Sequence, residues 1–385
     1  MPDYAGGSIV NLMASIGLAL GAADTGSVPL RSSELSALLG QRSRIVLLVV
    51  DGLGYRRVTA AAARGALRTH LHSSLTSVFP STTATAITTF LTGLTPAQHG
   101  LTGWHMWFPE QATVGAILPY RTRIGDRPLT AIGIEPERLF DHRSFFERLP
   151  VRSYAVTPER ILPSVFNRAH CKGAQLLGYS SLEQLFQCTL NCLRLADQRS
   201  YIYAYYADYD SIAHEHGVDS RHAARLMQRF DEALSSFLCA AAGLDAAVIV
   251  TADHGFIDSP PPRVIELDRH PRLQSLLRAP LCGERRAAYC YVHPHAADAF
   301  EQYISRELAE QAWLYRSQTL IADGWFGPGP AHAELERRVG DYTLVMKGNW
   351  TIKEWLPGEQ RHRQLGVHGG VSEDEMIVPL IVALP

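Results

Sequence analysis

Apolar residues run without interruption from Ile45 to Val50 and stop at Asp51-Gly52-Leu53-Gly54. Six branched side chains in a row read as a strand buried on both faces. Asp51 then stands at the strand's carboxyl end, where open α/β sheets place ligands. The pattern recurs twice. Tyr201–Tyr206 runs into Ala207-Asp208-Tyr209-Asp210, with His214 and His216 beyond, and Ala246–Ala252 runs into Asp253-His254-Gly255. A last apolar run, Met376–Val382, predicts a strand returning to the core, and Pro379 within it calls for an edge position or a bulge. Leu75–Phe79 and Val151–Val156 are shorter strand candidates.

Helical periodicity fills the intervals. Residues 1–43 predict one or two helices, one capped at Ser32-Ser33-Glu34 and closed at Gly40. Ala60–Leu67 is Ala-rich, Ala84–Thr92 suits a helix closed by Gly93, and Leu182–Leu195 suits another. Asp219–Ala242 predicts a long amphipathic helix with Leu226, Phe230, Leu234, Phe237 and Leu238 on its apolar face. Strands alternating with helices predict an α/β fold around a mostly parallel sheet. From Asp258 to Leu365 the character changes. Pro260-Pro261-Pro262, a Gly/Pro run at 324–330 and scattered arginines suggest an insert, with 296–312 as one of its helices. The expected organisation is an α/β core over 1–257, an inserted subdomain over 258–365, and a return to the core over 366–385.

Composition narrows the class. The 385 residues carry a net charge of −2, which gives no reason to expect a nucleic acid polymer or an anionic membrane as partner. Three lysines (172, 347 and 353) among many arginines read as a genomic bias. The six cysteines form no CxxC pair, and the expectation is reduced, inert thiols. Residues 8–20 are apolar but interrupted by Asn11 and unpreceded by a basic residue, unlike a signal peptide. No apolar run reaches the ~20 residues of a membrane span. A cytoplasmic protein is expected.

Asp51, Asp210 with His214, Asp253 with His254, and His368 in Gly366-Val-His368-Gly-Gly370 offer six N/O ligands on separate segments. A parallel sheet gathers such segments at one rim. Six N/O ligands suit two zinc-class ions, and such pairs, roughly 3.5–4 Å apart, serve in-line displacement at phosphorus. Pro80-Ser81-Thr82-Thr83 precedes a predicted helix, where a hydroxyl is ordinarily an N-cap but where N–H groups and the helix dipole also hold anions. His99 in Thr95-Pro-Ala-Gln-His99-Gly100 reads as a structural turn residue. Trp104–Phe108 reads as core packing, or else as a surface on which a base or aryl group could stack.

Taken together, these motifs resemble the alkaline phosphatase superfamily, and within it the type I phosphodiesterase/nucleotide pyrophosphatase branch. The resemblance is carried by Val-Asp51-Gly, Val-Phe-Pro80-Ser-Thr-Thr83 with Thr-Gly-Leu and Pro-x-x-His-Gly downstream, Tyr-x-x-Asp210-x-x-x-His214, Thr-Ala-Asp253-His254-Gly and Gly-Val-His368-Gly. It implies a mostly parallel sheet sandwiched between helices, with a small inserted cap. It also implies two Zn2+ per chain, with other divalent metals as substitutes. Asp51, Asp253, His254 and Thr83 would hold one ion; Asp210, His214 and His368 would hold the other. Flanking Asp208 and His216 would stay outside. Thr83 falls on the family's nucleophile, with Thr82 as the fallback. Ala86 departs from the eukaryotic-type pattern, which has asparagine there, so one oxyanion donor must come from elsewhere.

The implied activity is hydrolysis of phosphodiester or phosphoanhydride bonds through a covalent phospho-threonine. The substrate would be a small phosphate ester, with nucleotides among the candidates. The alternatives are a phosphomonoesterase or phosphonate hydrolase with the same site, a phospho-group transferase on this fold, and a non-catalytic zinc-stabilised binding protein.

Overall fold

The structure is a computed structural model that describes residues 1–60, 65–195 and 198–385. Its core is a seven-stranded sheet in the spatial order Leu71–Thr76, Ile377–Ala383, Ala246–Thr251, Arg44–Val50, Ser200–Tyr206, Arg152–Pro158 and Ala174–Tyr179. Arg44–Val50 is central and parallel to both neighbours, pairing Val49 with Thr251 and Val50 with Tyr206. Every residue from Ile45 to Val50 is buried, as are all of 200–206 and 246–251, which explains their continuous apolar runs. Ile377–Ala383 is antiparallel to both strands beside it. It is interior rather than at an edge, and Pro379 is accommodated next to a register shift between Leu380 and Ile381.

Helices flank this sheet in two groups. Ile9–Ala19 packs on Ser33–Gly40 and Thr83–Thr92, and Leu182–Leu195 packs on Arg221–Ala240. Ser32 caps the helix at 33–40 by accepting from the Leu35 N–H, and Gly93 closes the helix at 83–92 with φ +67°. The mixed α/β fold with a mostly parallel sheet is therefore the observed class. Two boundaries differ from expectation, and one expected element is not covered. The strand before Thr83 spans Leu71–Thr76, because the polar His72-Ser73-Ser74 stretch can occupy the outermost position, where one face is wet. The insert helix ends at Glu307, since Ala312–Arg316 is already a strand. The Ala-rich helix expected over 60–67 falls largely on 61–64, outside the described residues.

A second seven-stranded sheet runs Ala312–Arg316, Tyr342–Met346, Ala287–Cys290, Cys282–Gly283, His105–Phe108, Thr113–Ala116 and Arg121–Thr122. It is composite: four strands come from the 258–365 segment and three from 105–122. The two ends of the 258–365 segment meet in a short antiparallel pair, Ile257 with Val367 and Asp258 with Gly366. Among the described residues, no helix is long and apolar enough to cross a membrane.

Candidate metal centre

Three adjacent parallel strands deliver three of the acidic groups. Asp51 follows Val50, Asp253 comes two residues after Thr251, and Asp210 lies in the helix Asp208–His216 that starts two residues after Tyr206. The helical spacing brings His214 onto the same face as Asp210, with Nε2 3.3 Å from Asp210 Oδ1. Gly52 has φ +78°, and a Cβ there would meet the Phe256 ring at 2.3 Å. Gly255 packs backbone to backbone, where a Cβ would lie 2.0 Å from the Asp374 carbonyl oxygen. These glycines let the Asp51 and Asp253 loops close on one another.

One cluster comprises Asp51, Asp253 and His254, whose donor atoms all lie within 4.8 Å of one another. His254 Nε2 is 3.3 Å from Asp51 Oδ1, 3.4 Å from Asp253 Oδ2 and 3.1 Å from Thr83 Oγ1. A second cluster comprises Asp210, His254 and His368. His254 thus stands between the two groups, its ring stacked on His368 at 3.7 Å. His214 joins through Asp210, and its ring centre lies 5.1 Å from that of His368. The flanking residues point elsewhere: His216 stacks on His222, and Asp208 faces Arg160 at 3.8 Å.

Each histidine is aimed by its other nitrogen. His254 Nδ1 pairs with the Gly255 carbonyl at 3.0 Å, His214 Nδ1 with the Gly366 carbonyl at 2.8 Å, and His368 Nδ1 with the Ser81 carbonyl at 3.3 Å. Donation from Nδ1 to a carbonyl fixes the tautomer and turns Nε2 toward the cluster. Asp51 Oδ2 accepts from the Tyr205 hydroxyl, and Asp253 Oδ1 accepts from the N–H groups of Gly52 and His254 at 3.0 Å. Among the described residues, the remaining oxygens, Asp51 Oδ1, Asp210 Oδ1 and Asp253 Oδ2, are buried with no hydrogen bond, each facing a histidine Nε2 at 3.3–3.4 Å. Buried oxygens left bare in this way fit a cation.

The electrostatics agree. Burial pulls the His254 imidazole down, but Asp253 and Asp51 together outweigh it and hold it up at about 10. Burial raises the Asp253 carboxyl well above the usual range, and the neighbouring Asp51 charge adds to this. His368 is driven well below its ordinary value by burial, then by His254 and His214. Two crowded carboxylates and a proton-loaded imidazole form an arrangement that a dication would relieve.

The two threonines differ. Thr83 opens the helix and faces His254, whereas Thr82 donates to Glu284 Oε1 at 2.7 Å. Glu284, from the insert, also accepts the Trp104 N–H at 2.7 Å. Sequence reasoning did not single out Glu284, nor Tyr205, nor the pair Arg286–Glu375. That pair is almost fully buried, with contacts of 3.0 and 2.8 Å. Glu375 also accepts from the Gly370 N–H and the Ser372 hydroxyl, while its carbonyl holds the Gly255 N–H. It therefore ties the His368 loop to the Asp253-His254 loop. The one available signal was a charged residue next to an apolar strand. His99 is structural: it is buried, and its Nδ1 accepts the Leu101 N–H. Trp104 is partly exposed beside Thr83, while Met106 is in the core.

Comparison with curated proteins returned no match. The fold is similar to murine ectonucleotide pyrophosphatase / phosphodiesterase 5, at 18% identity over 89% of this chain and 88% of that one, with TM-score 0.64. An inactive form of that murine protein in complex with AMP has TM-score 0.62, at 17% identity over 88% and 87%. Phosphonoacetate hydrolase from Sinorhizobium meliloti 1021, in complex with phosphonoformate, has TM-score 0.66, at 17% identity over 89% and 90%. The family model for type I phosphodiesterase / nucleotide pyrophosphatase matches residues 45–370, which include every residue of both clusters, so the chain belongs to that family.

Proposed function

We propose that the protein hydrolyses phosphodiester or phosphoanhydride bonds with Thr83 as nucleophile. Asp51, Asp253, His254 and Thr83 would hold one Zn2+, and Asp210, His214 and His368 would hold a second. The reading rests chiefly on one observation: Thr83 Oγ1 lies 3.1 Å from His254 Nε2, beside the oxygens of Asp51 and Asp253 that make no hydrogen bond among the described residues. The bound ions would supply Lewis acidity, lowering the pKa of a coordinated hydroxyl and neutralising charge at phosphorus.

The chain's own groups do the rest. Thr83 Oγ loses its proton and forms the new P–O bond, the bond to the leaving alkoxide or phosphate breaks with its electron pair and the proton passing to that group, and water then cleaves the phospho-threonine and restores the hydroxyl. The N–H groups of Thr83 and Ala84 have no protein acceptor among the described residues, and they face the helix's open end. They are the replacement for the side-chain donor that Ala86 does not provide. Asp51 is kept in place by Tyr205, and the three histidines by their carbonyl partners.

The segment 258–365 is proposed as a cap: Glu284 from it reaches Thr82, and its residues wall the entrance. Similar folds hold AMP and phosphonoformate, which supports a small phosphate- or phosphonate-bearing substrate. The likeness to phosphonoacetate hydrolase favours a second reading, a phosphonate hydrolase or phosphomonoesterase with the same site.

The test compares 4-nitrophenyl phosphodiesters and the monoester, with and without chelator, alongside metal analysis. Diester turnover abolished by chelator, with about two zinc per chain, is expected. A monoester rate far above the diester rate would select the second reading, and full activity in metal-free protein would refute the metal model.

A further inference from the structure

Two cavities open on Thr83 and Asp210, and Trp104 lines both. One, of about 470 Å³, has an apolar wall of Ile87, Leu91, Leu118, Ile161 and Phe166, with Asn167 and the Asp208-paired Arg160 also on its lining. The other, of about 360 Å³, continues past His214 and His368 to Arg123, Arg285 and Lys353. Its charges are unevenly matched. Arg123 is fully engaged, donating to both oxygens of Glu359 at 2.9 and 3.0 Å and to the Glu354 carbonyl at 2.6 Å. Glu359 also accepts the Leu356 N–H, so its carboxylate has little left to offer. Glu284 Oε1 is taken by Thr82 and Trp104, and Glu354 Oε2 accepts the Leu281 N–H.

Lys353 and Arg285 are left over. Lys353 Nζ comes no nearer than 3.8 Å to Glu359 and sits 4.5 Å over the Trp355 ring. Arg285 lies 5.9 Å from the same ring and 3.4 Å from His362 Nε2, and among the described residues no carboxylate comes within 4 Å of it. Two cations held by a shared aromatic face, and both lining a cavity that ends at the nucleophile, are a receptor for negative charge.

We infer that Arg285 and Lys353 form an anion-recognition subsite, so that the substrate carries a second negative group, phosphate or carboxylate, on the substituent that enters this cavity. The proposal deepens the hydrolase reading and rests on it. The substrate class is then asymmetric, with an apolar group on one side of phosphorus and an anionic arm on the other. Burial, with Arg285 and Arg123 nearby, pulls the Lys353 ammonium down to about 8, a repulsion that an incoming anion would relieve.

The experiment uses the zinc-loaded full chain and three 4-nitrophenyl diesters whose second substituent is 2-carbamoylethyl, 2-carboxyethyl or a phosphorylated 2-hydroxyethyl. At least one anionic diester should exceed the carbamoyl diester tenfold or more in kcat/KM, and the better of the two identifies carboxylate or phosphate. Arg285→Met and Lys353→Met should each bring that ratio below threefold, while Arg285→Lys should retain part of it. Arg361→Met, which removes an exposed arginine paired with Asp268 near the same tryptophan, should leave the ratio unchanged. Calorimetric titration of the same diesters into zinc-loaded Thr83→Ala protein reads the subsite without turnover. Anionic preference in binding with no hydrolysis of any diester by the unaltered protein would refute the hydrolase reading and keep the subsite. A ratio near one in the unaltered protein, or one undiminished in both Met variants, would overturn the subsite.

Discussion

Thr83 and Thr82 are chemically the same and adjacent, yet their surroundings assign them different work. Thr83 faces His254, whereas the Thr82 hydroxyl is spent on Glu284. Thr83→Ala should lower diester turnover by at least about a thousandfold, as nucleophile loss does elsewhere. Thr82→Ala should cost only the bond to Glu284, about 1 kcal/mol of stability, and less than about tenfold in rate, since one tenfold is about 1.4 kcal/mol. Equal losses in the two variants, measured as kcat/KM on one diester, would remove the assignment.

His254 gives a second residue-scale expectation. In metal-depleted protein its pKa rises from 6.5 to about 10 because Asp253 and Asp51 overcome burial. A group with a raised folded pKa stabilises below its unfolded value, and that contribution is lost as pH rises through the folded value. Metal-depleted protein should therefore lose thermal stability between about pH 6.5 and 10. Zinc-loaded protein should lack this slope, because a coordinated imidazole binds no proton. Melting curves across this range, with EDTA and with zinc, test both statements.

At the scale of elements, the site depends on loops that the strands do not themselves hold. The buried Arg286–Glu375 pair links the insert to the loop carrying His368, and the Glu375 carbonyl also grips Gly255. Removing one partner strands a buried charge, which costs about 3–5 kcal/mol. Glu375→Ala should therefore lower the melting temperature and weaken zinc binding, although Glu375 is not among the proposed ligands. Gly255→Ala should do the same through a steric route, because its Cβ would collide with the Asp374 carbonyl. Zinc affinity unchanged in a folded Glu375→Ala protein would separate this pair from the site.

Across the whole molecule, the candidate ligands come from five segments spread between positions 51 and 368, so ion binding would join elements that are distant in sequence. A ligand that binds only the folded state stabilises by about 2.7 kcal/mol at a hundredfold excess over its Kd. For a chain this long, chelation should lower the melting temperature by at least about 3 °C. Restoring zinc should reverse the change, and an EDTA-insensitive melting curve would contradict the model.

The sheet, its parallel sense and the Asp and His groups at its rim were legible because fully buried strands require unbroken apolar runs, and such runs end abruptly where chemistry begins. Periodicity also gave the helix at 182–195 to the residue, since an amphipathic face has a 3.6-residue signature. Pairing across distance has no such signature. That Glu284 holds Thr82, that carbonyls aim each histidine, and that strands from 105–122 complete the second sheet follow from side chains and edges meeting in three dimensions. Lys353 shows the limit most plainly. In the sequence it is one of three scarce lysines, and only the fold, by engaging nearby carboxylates elsewhere, leaves its charge facing a cavity that Thr83 also lines.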